Sequence, residues 1–261
     1  MPLVQRLHPA AVVDPGAKLA DDVVVGPFAF VGPGVELGPA VTVGNHVSVS
    51  GPTVVGARTA LHPFAAIGGD PQDKKYRGEP TRLVIGADCR IHEGVTIHRG
   101  TPQGGAITRI GDDVMLMNGV HVAHDCQIAP HVVIASFSGL AGHVEIGEYA
   151  VLGAYTGVHQ HARIGESAMT AANAKLAKDA PPFSLVAGDH AKVIGLNSIG
   201  MQRRGIPADA QRDVKHAFHL LFASKLRLAT AIERVRSEVG ATPEVQRLLA
   251  FIATSRRGVL R

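Results

Sequence analysis

The chain has 261 residues, enough for one large domain and a smaller one, and it carries a formal net charge of +4. Tryptophan is absent, 4% of the residues are aromatic and 30 are glycine, a composition suited to a narrow aliphatic core. No stretch has the roughly 20 apolar residues of a membrane helix, only two cysteines occur, and no charged-then-apolar leader opens the sequence. We therefore expect a cytoplasmic protein with reduced thiols and no transmembrane segment.

An aliphatic residue recurs at every sixth position through most of the first 180 residues. The members are Val13, Leu19, Val25, Val31, Leu37, Val43, Val49, Val55, Leu61 and Ile67, then Ile85, Ile91 and Ile97, then Ile110, Leu116, Val122, Ile128, Ile134, Leu140, Ile146, Leu152, Val158 and Ile164, and, after a polar Thr170, Leu176. A sixfold period fits neither a helix nor an alternating strand over this length and is typical of a repeat architecture. The pattern predicts an all-β solenoid, a parallel β-helix.

The size of this solenoid follows from known hexapeptide solenoids, in which three hexads close one coil of about eighteen residues. Stacking at the inter-strand spacing gives about eight coils and a prism roughly 40 Å tall. The period does not set the handedness. Parallel crossovers are usually right-handed, whereas hexapeptide solenoids are known as a left-handed exception.

Two polar insertions interrupt the register, at residues 69–80 and 98–109. The second shifts the register by one residue between Ile97 and Ile110. Loops on a rigid scaffold are where binding and catalytic residues concentrate. Their charge and glycine content favour a ligand-facing role over neutral surface excursions.

The sixfold register fails after Pro181-Pro182, which divides the chain into a β-helix over 1–190 and an α-helical domain over 191–261. Helices are predicted from Ala208 to Ser224 and from about Leu226 to Val239. A third helix should open at Thr242-Pro243-Glu244, with threonine as N-cap and proline in the first turn.

Charge divides between the same two parts. Residues 191–261 hold 13 Lys and Arg against 5 Asp and Glu, a net charge of +8, whereas residues 1–190 have a net charge of −4. The neutral interpretation is a solvated helical cap. We favour a docking surface for an acidic protein, because such fields steer association. Nucleic acid is not expected as a partner, since no interleaved aromatic residues or binding motif accompany the basic ones.

Histidine is the other anomaly, and six of the fourteen stand out at the edge of the second insertion or in the coils after it. These are His98, His121, His124, His143, His159 and His161. Asp125, His143 and His161 are eighteen residues apart and should stack in adjacent coils. Taken alone, any one of them would be an ordinary surface histidine; together they predict a site.

Two chemistries can use this row. In the first, His124 is a general base held by Asp125, and the backbone N–H of Gly142 stabilises an oxyanion. In the second, three histidines bind Zn²⁺ and leave one position open, as in hexapeptide-repeat carbonic anhydrases. The metal hypothesis leaves the 69–80 insertion and the basic helices without a role, so we rank it second and expect no metal.

Several longer motifs carry a family resemblance that covers essentially the whole chain. They are Gln72-Asp73, Lys75-Tyr76, Gly78-Glu79-Pro80-Thr81-Arg82, Val95-Thr96-Ile97-His98-Arg99-Gly100-Thr101, His121-Val122-Ala123-His124-Asp125-Cys126, Leu140-Ala141-Gly142-His143-Val144, Val158-His159-Gln160, Gly188-Asp189-His190-Ala191, Arg203-Arg204-Gly205 and Ser255-Arg256-Arg257-Gly258. The chain resembles the UDP-N-acetylglucosamine O-acyltransferases, which open lipid A biosynthesis.

The resemblance implies a homotrimer of left-handed parallel β-helices with C-terminal helical caps and active sites between subunits. It implies transfer of an (R)-3-hydroxyacyl group from acyl carrier protein to the 3-hydroxyl of the GlcNAc of UDP-GlcNAc. No cofactor is bound, since the 4'-phosphopantetheine arrives on the donor. Carried over to this chain, His124 would be the general base, Asp125 its support and Gly142 the oxyanion donor. The residues that would hold the sugar, the nucleotide or the pantetheine arm are Asp73, Lys75, His98, His121, His143, His159, Gln160, Asn197, Arg203 and Arg204.

The sequence departs from the family pattern at Lys74, His161, Ile199 and Ala172. Ile199 replaces a familiar glutamate, which bears on the nucleotide contact. Ala172 replaces a familiar glycine beside Met169 at the end of the acyl groove. We expect Met169 and Ala172 to help set acyl length, with Ala172 favouring shorter chains, because one methylene is worth about 1–3 kcal/mol of discrimination.

Two alternatives stay open at this point. The related N-acyltransferase of the same pathway is expected to carry an extra N-terminal domain, for which a register that begins at Val13 leaves no room. A zinc hydratase or a non-catalytic scaffold belongs to a different class and would be indicated by tightly bound metal or by no turnover.

Overall fold

The computed structural model describes residues 6–261, which form 27 short strands and four α-helices. In chain order the strands are Val12–Val13 (β1), Lys18–Leu19 (β2), Val24–Val25 (β3), Phe30–Val31 (β4), Val35–Leu37 (β5), Thr42–Val43 (β6), Ser48–Val49 (β7), Thr53–Val55 (β8), Ala60–Leu61 (β9), Ala66–Gly69 (β10), Arg82–Ile85 (β11), Arg90–Ile91 (β12), Thr96–His98 (β13), Ile107–Ile110 (β14), Met115–Leu116 (β15), His121–Val122 (β16), Gln127–Ile128 (β17), Val133–Ile134 (β18), Gly139–Leu140 (β19), Glu145–Ile146 (β20), Val151–Leu152 (β21), Gly157–Val158 (β22), Arg163–Ile164 (β23), Met169–Thr170 (β24), Lys175–Leu176 (β25), Ser184–Ala187 (β26) and Lys192–Leu196 (β27).

The strands form the three flat walls of a triangular prism. Sheet I has the order β1-β4-β7-β10-β13-β16-β19-β22-β25, sheet II has β2-β5-β8-β11-β14-β17-β20-β23, and sheet III has β27-β26-β24-β21-β18-β15-β12-β9-β6-β3. Regular coils pair residues eighteen apart, as Val12 with Phe30 and Leu140 with Val158. The predicted parallel β-helix and its eighteen-residue coil are confirmed.

The bore of the prism is filled by the sixfold aliphatic residues. From Val25 onward they are buried, and Ile97, Val122 and Leu140 are fully enclosed. The polar exception, Thr170, is also enclosed, and its hydroxyl has two partners there. It lies 2.8 Å from the Thr156 hydroxyl and accepts the Gly153 N–H over 3.0 Å. A paired hydroxyl removes most of the cost of burying it.

The three corners of the prism have one shared turn geometry. The third residue after most bore residues adopts a left-handed conformation, as Phe28, Asp125 and His143 do with φ near +60°. The glycine that directly follows many bore residues serves another purpose. A Cβ on Gly56 would lie 2.5 Å from the Gly86 carbonyl carbon in the next coil, so close stacking of the turns requires glycine there.

We call the turns between sheets I and II the first corner, those between II and III the second, and those between III and I the third. Both insertions lie at the first corner, between β10 and β11 and between β13 and β14. The register accommodates them by pairing Ile67 with Ile97 and Ile85 with Ile110. Because the next turns of this corner carry the histidines, the insertions cover one end of the histidine row.

The C-terminal part begins with β27, which runs antiparallel to β26 and so continues sheet III. The helices are Ser198–Arg203 (α1), Ala208–Phe218 (α2), Leu228–Glu238 (α3) and Pro243–Ala253 (α4), with a π-helical turn at His219–Ala223 after α2. The three predicted helices are confirmed within two residues at their starts, whereas the short α1 had no sequence signal. Thr242 is the N-cap residue of α4 as predicted, but its side chain makes no capping bond.

The helices build a second apolar core around Val214, Leu221 and Leu248. The last residues return to the solenoid, where the Leu260 N–H donates to the Asp179 carbonyl over 2.8 Å. Arg163 joins the two parts, since its guanidinium pairs with Asp179 and lies 4.3 Å from the ring of Phe251. Among residues 6–261 no helix is both long and apolar enough to cross a bilayer.

Candidate active site

The first corner presents a buried carboxylate directly below the second insertion. The Asp125 side chain has no solvent exposure. Its Oδ1 accepts the Thr101 N–H over 2.8 Å, and its Oδ2 accepts the Thr101 hydroxyl over 2.6 Å. Its own N–H donates to the Thr108 hydroxyl over 2.8 Å. Such donors stabilise the ionised carboxylate and fix its orientation.

His124 lies against this carboxylate. Its Nδ1 is 2.7 Å from Asp125 Oδ2, so the imidazole carries its proton on Nδ1 and leaves Nε2 with a free lone pair. The imidazole is 11% exposed, which leaves an edge open to a bound molecule. This tautomer is the one that a general base requires.

Gly142 stands in the next coil, against the same imidazole. A Cβ at this position would lie 2.5 Å from His124 Cε1 and 2.8 Å from Nε2, so no larger residue fits without moving the ring. Within residues 6–261 the Gly142 N–H makes no hydrogen bond. A free amide beside Nε2 is placed to stabilise negative charge on a reacting oxygen.

His143 and His161 continue the column. Their rings stack with centroids 4.4 Å apart, and His143 Nε2 is 3.6 Å from Asp125 Oδ2. The predicted stacking of these three residues is confirmed. Burial lowers the pKa of His143, although Asp125 opposes the shift, and His161 and His124 reinforce it. His143 is therefore neutral near pH 7 and able to donate or accept a hydrogen bond.

His98 and His121 form a second pair on the face of sheet I, with ring centroids 5.4 Å apart. His121 Nδ1 is 2.8 Å from the Thr96 hydroxyl, and His98 Nδ1 is 2.6 Å from the Asp70 carbonyl oxygen of the first insertion. Burial, and to a lesser extent His98, lowers the pKa of His121. The pair thus joins the insertion to the coil that carries His124.

The remaining predicted residues of this corner are on its surface. Asp73 accepts the Lys75 N–H over 2.9 Å within the first insertion, and Lys75 is exposed. Asp73 is near enough to His143 to act on its pKa. His159 and Gln160 are exposed, with His159 Nδ1 3.1 Å from its neighbour's carbonyl oxygen.

An open cavity of about 930 Å³ borders the column. Its lining includes His143 and His161 from the corner, Gly104 from the second insertion, Arg163 from β23 of the solenoid, and Arg256 from the C-terminal part. Cationic groups therefore flank the histidines where the two parts of the molecule meet.

A second cavity, of about 810 Å³, lies at the second corner, away from His124. Arg203, Arg204, Asn197, Met169 and Ile199 line it together with Tyr149. Arg203 is exposed, whereas Arg204 is paired with Glu166 and lies 4.6 Å from the Tyr149 ring. The structure thus places the predicted substrate-binding residues Asn197, Arg203 and Arg204 at a different corner from His124.

Asn197 has a local role in this cavity. Its Oδ1 accepts the Gly200 N–H over 3.0 Å as the N-cap of α1, and its Nδ2 donates to the Ser167 carbonyl over 2.9 Å. Ala172 belongs to neither cavity's lining and lies exposed in a turn of the third corner.

A zinc centre at the first corner was the alternative. His124, Asp125 and His143 do bring one ligand atom each within 4.8 Å of the others. Both oxygens of Asp125 already accept hydrogen bonds from Thr101, and Oδ2 also meets His124 Nδ1. Because hydrogen bonds already occupy both carboxylate oxygens, Asp125 is better explained as the fixed partner of the His124 imidazole than as a metal ligand.

The sequence did not indicate a role for the residues that hydrogen-bond to Asp125 or pack against it. Thr101 supplies two donors, and a Cβ on Gly104 would lie 2.0 Å from Asp125 Cγ, so the insertion must carry glycine there. Arg99, only 8% exposed, anchors the two insertions by donating to the Gly51 and Gly68 carbonyls and pairing with Asp70. The one-residue register shift before Ile110 was the available signal for a special contact here.

Two family models match separate parts of the chain. A family model described as UDP N-acetylglucosamine O-acyltransferase, domain 2, matches residues 179–260, and one for the bacterial transferase hexapeptide (six repeats) matches residues 107–142. The acyl-[acyl-carrier-protein]--UDP-N-acetylglucosamine O-acyltransferase of Halorhodospira halophila is 48% identical over 98% of this chain and 99% of its own length. The chain belongs to the UDP-N-acetylglucosamine O-acyltransferase family.

A further relative and a solved structure of the family also match this chain over nearly its whole length. The Paraburkholderia xenovorans relative of the same name is 45% identical over 99% of this chain and all of its own length. The solved structure of LpxA from Acinetobacter baumannii superposes with a TM-score of 0.95 at 36% identity, covering 98% of this chain and 100% of that one. The predicted family and the left-handed β-helix with C-terminal helices are confirmed.

Proposed function

We propose that this member of the family transfers an (R)-3-hydroxyacyl group from acyl carrier protein to the 3-hydroxyl of the GlcNAc of UDP-GlcNAc, the first step of lipid A biosynthesis. The names of its relatives, which specify acyl carrier protein and UDP-N-acetylglucosamine, support the two substrates. The observation that carries the chemistry is the Asp125–His124 pair, with Gly142 packed against the imidazole and its N–H without a hydrogen bond in the described chain.

In the proposed reaction, His124 Nε2 takes the proton of the sugar hydroxyl as its oxygen attacks the thioester carbonyl carbon. The carbonyl oxygen gains negative charge and is stabilised by the Gly142 N–H. Asp125 stabilises the imidazolium that forms. The intermediate collapses by breaking the carbon–sulfur bond, and His124 returns its proton to the thiolate.

The reaction needs neither a metal nor a bound cofactor. A thiolate is a good leaving group, and the 4'-phosphopantetheine enters with the donor. Burial raises the pKa of Cys89 to about 11 and that of Cys126 to about 12, so neither thiol serves as a nucleophile near pH 7.

We propose that the sugar and phosphates are held by Asp73, Lys75, His98, His121 and His143. The same proposal gives the nucleotide or the pantetheine arm to His159, Gln160, Asn197, Arg203 and Arg204. The second group divides between two corners of one chain, because His159 and Gln160 are at the first corner and the other three line the cavity at the second. One chain therefore holds two half-sites.

A homotrimer would join these halves. The third corner carries exposed aromatic residues, with Phe28, His46 and Phe64 in one stack and Phe137 and Tyr155 in another. An exposed apolar patch is typical of an interface. If three copies turn this corner toward a threefold axis, sheet I of each faces sheet III of the next, and the first corner of one copy meets the second corner of its neighbour.

The net positive C-terminal part supports acyl carrier protein as the acidic partner that docks beside the site. Arg163 and Arg256 line the cavity next to His143 and His161, where the cap meets the column. Charge of this kind raises the association rate and makes it sensitive to salt. We place the reaction in the cytoplasm, where its donor is made.

The test is transfer from 3-hydroxyacyl carrier proteins of graded chain length to radiolabelled UDP-GlcNAc, with and without a chelator. Chelator-independent turnover with at least one donor is expected. No turnover with any donor, or turnover abolished by metal removal and restored by Zn²⁺, would contradict the proposal. Ala172→Gly should shift the preferred chain length upward, and an unchanged profile would exclude Ala172 as a determinant.

A further inference from the structure

A second histidine pair occurs at the third corner, outside the proposed active site. His62 follows β9, and His92 follows β12 at the equivalent position, thirty residues later because the first insertion lies between them. Their imidazoles stack with centroids 4.5 Å apart and planes inclined by 12°. Both rings are thus presented on the same side of two adjacent coils.

Glu93 places its carboxylate beside both rings. One oxygen is 3.6 Å from His62 Nδ1, and the other is 3.7 Å from His92 Nδ1. Both separations exceed hydrogen-bonding distance, so three lone-pair donors converge without binding one another. All three ligand atoms lie within 4.8 Å of each other.

These separations suit a transition-metal ion. Zinc bonds to histidine and carboxylate of about 2.0–2.1 Å put tetrahedral ligand atoms about 3.3 Å apart, so small side-chain rotations would complete the site. Two imidazoles and one carboxylate form a ligand set for Zn²⁺ that leaves a fourth position for water.

The surroundings keep the ligands available. In a single chain the side chains of His62, His92 and Glu93 are 36%, 25% and 52% exposed, so no neighbouring residue of the same chain covers the ligand atoms. The trimer proposed above would enclose this corner near its axis. His92 Nε2 is buried and has no partner within the described chain, which leaves Nδ1 as the nitrogen directed at Glu93.

We propose that His62 Nδ1, His92 Nδ1 and the Glu93 carboxylate bind one Zn²⁺ ion per chain at the third corner. The ion joins the two coils that enclose the 69–80 insertion and so stabilises the part of the solenoid from which that insertion projects. The site is separate from acyl transfer, because the His124–Asp125 pair belongs to another corner.

The experiment is titration of metal-stripped protein with Zn²⁺ by calorimetry, and with Co²⁺ by its visible absorption, for wild type, His62→Gln, His92→Gln and Glu93→Gln. One equivalent should bind to the wild type, and each substitution should weaken binding at least about tenfold, the effect typical of losing a metal contact. Zn²⁺ should raise the melting temperature of the wild type and leave that of the variants unchanged.

Two controls make the result decisive. His131→Gln removes another half-exposed histidine, one that contacts a carboxylate at 3.0 Å at the second corner, and should bind Zn²⁺ as the wild type does. His124→Ala removes a ligand of the alternative cluster at the first corner and should also retain one equivalent. Binding that survives in all three third-corner variants, or that disappears in His124→Ala, would overturn the site. Because the three third-corner variants keep the proposed catalytic residues, their transfer activity tests the proposed function independently.

Discussion

The first and third corners of the prism use the same turn, yet they place a histidine pair beside carboxylates that differ in burial and hydrogen bonding. At the first corner, His124 and His143 flank Asp125, whose side chain is fully buried. At the third, His62 and His92 flank Glu93, whose side chain is 52% exposed and forms no hydrogen bond with either ring.

The second insertion accounts for this difference. Thr101 brings two donors to Asp125, and Gly104 lets the chain close over the carboxylate. A buried, fully bonded carboxylate fixes one imidazole tautomer, which suits proton transfer. A bare carboxylate between two imidazoles keeps its lone pairs, which suits a metal ion. On one scaffold, the covering loop thus distinguishes the corner proposed for proton transfer from the corner proposed for metal binding.

The largest expected effect is that of His124→Ala. Loss of a positioned base costs about 10²–10⁴-fold in rate, so kcat should fall by that factor while the melting temperature stays near that of the wild type. Steady-state transfer assays would measure it. His8→Ala is the matched control, because His8 is exposed near the start of the solenoid and lines neither cavity, so this variant should keep full activity. Equal losses of activity in the two variants would contradict a specific role for His124.

Gly142→Ala tests the close contact between the two coils of the first corner. The added Cβ would lie 2.5 Å from His124 Cε1 and displace the ring, and misplacement by about 1 Å can cost roughly 100-fold. Gly139→Ala is the control, because a Cβ there meets nothing within 4 Å. Comparable activity in the two variants would show that the contact does not position His124.

Thr101→Val tests the role of the covering loop. It removes the hydroxyl donor to Asp125 and leaves a buried acceptor with one bond fewer, at a cost of about 1–3 kcal/mol. We expect about a tenfold lower kcat and a shifted pH–rate profile. Thr81→Val is the control, since that buried hydroxyl has no partner and its loss should not lower stability or activity. Equal effects would contradict a specific role for Thr101.

The smallest effect concerns pH. The pKa of His121 is lowered in the folded chain, so below the ordinary value of about 6.5 the unfolded chain binds more protons. The free energy of unfolding therefore falls as the pH decreases from about 6.5 through the folded-state pKa, and then levels off. His121→Gln should make this fall shallower in denaturant titrations between pH 8 and 5. A steeper fall would contradict the direction of the shift.

The sequence predicted the parts of this comparison that depend on the period. Eighteen-residue coils place Asp125, His143 and His161 in one column, and the sixfold residues define the bore. The sequence did not predict the two hydrogen bonds from Thr101 to Asp125, because tertiary contacts set the path of an insertion. The sequence also did not predict that His62 and His92 are adjacent, since the first insertion separates them by thirty residues rather than eighteen.

The second corner was also beyond the sequence. The helix Ser198–Arg203 is short and contains glycine, so no periodic signal marks it, although its cap holds Asn197 and its end presents Arg203. The motif grouped these residues with His124, whereas a single chain keeps them at different corners. Only the three-dimensional arrangement reveals this separation, which the proposed homotrimer would bridge.

The most direct test of the whole account is complementation between His124→Ala and Arg203→Ala, each expected to be weakly active alone. If one active site uses the first corner of one copy and the second corner of its neighbour, mixed trimers contain intact sites. An equal mixture, unfolded and refolded together, should then recover about a quarter of wild-type activity. Activity no greater than the mean of the two variants would contradict a site shared between copies.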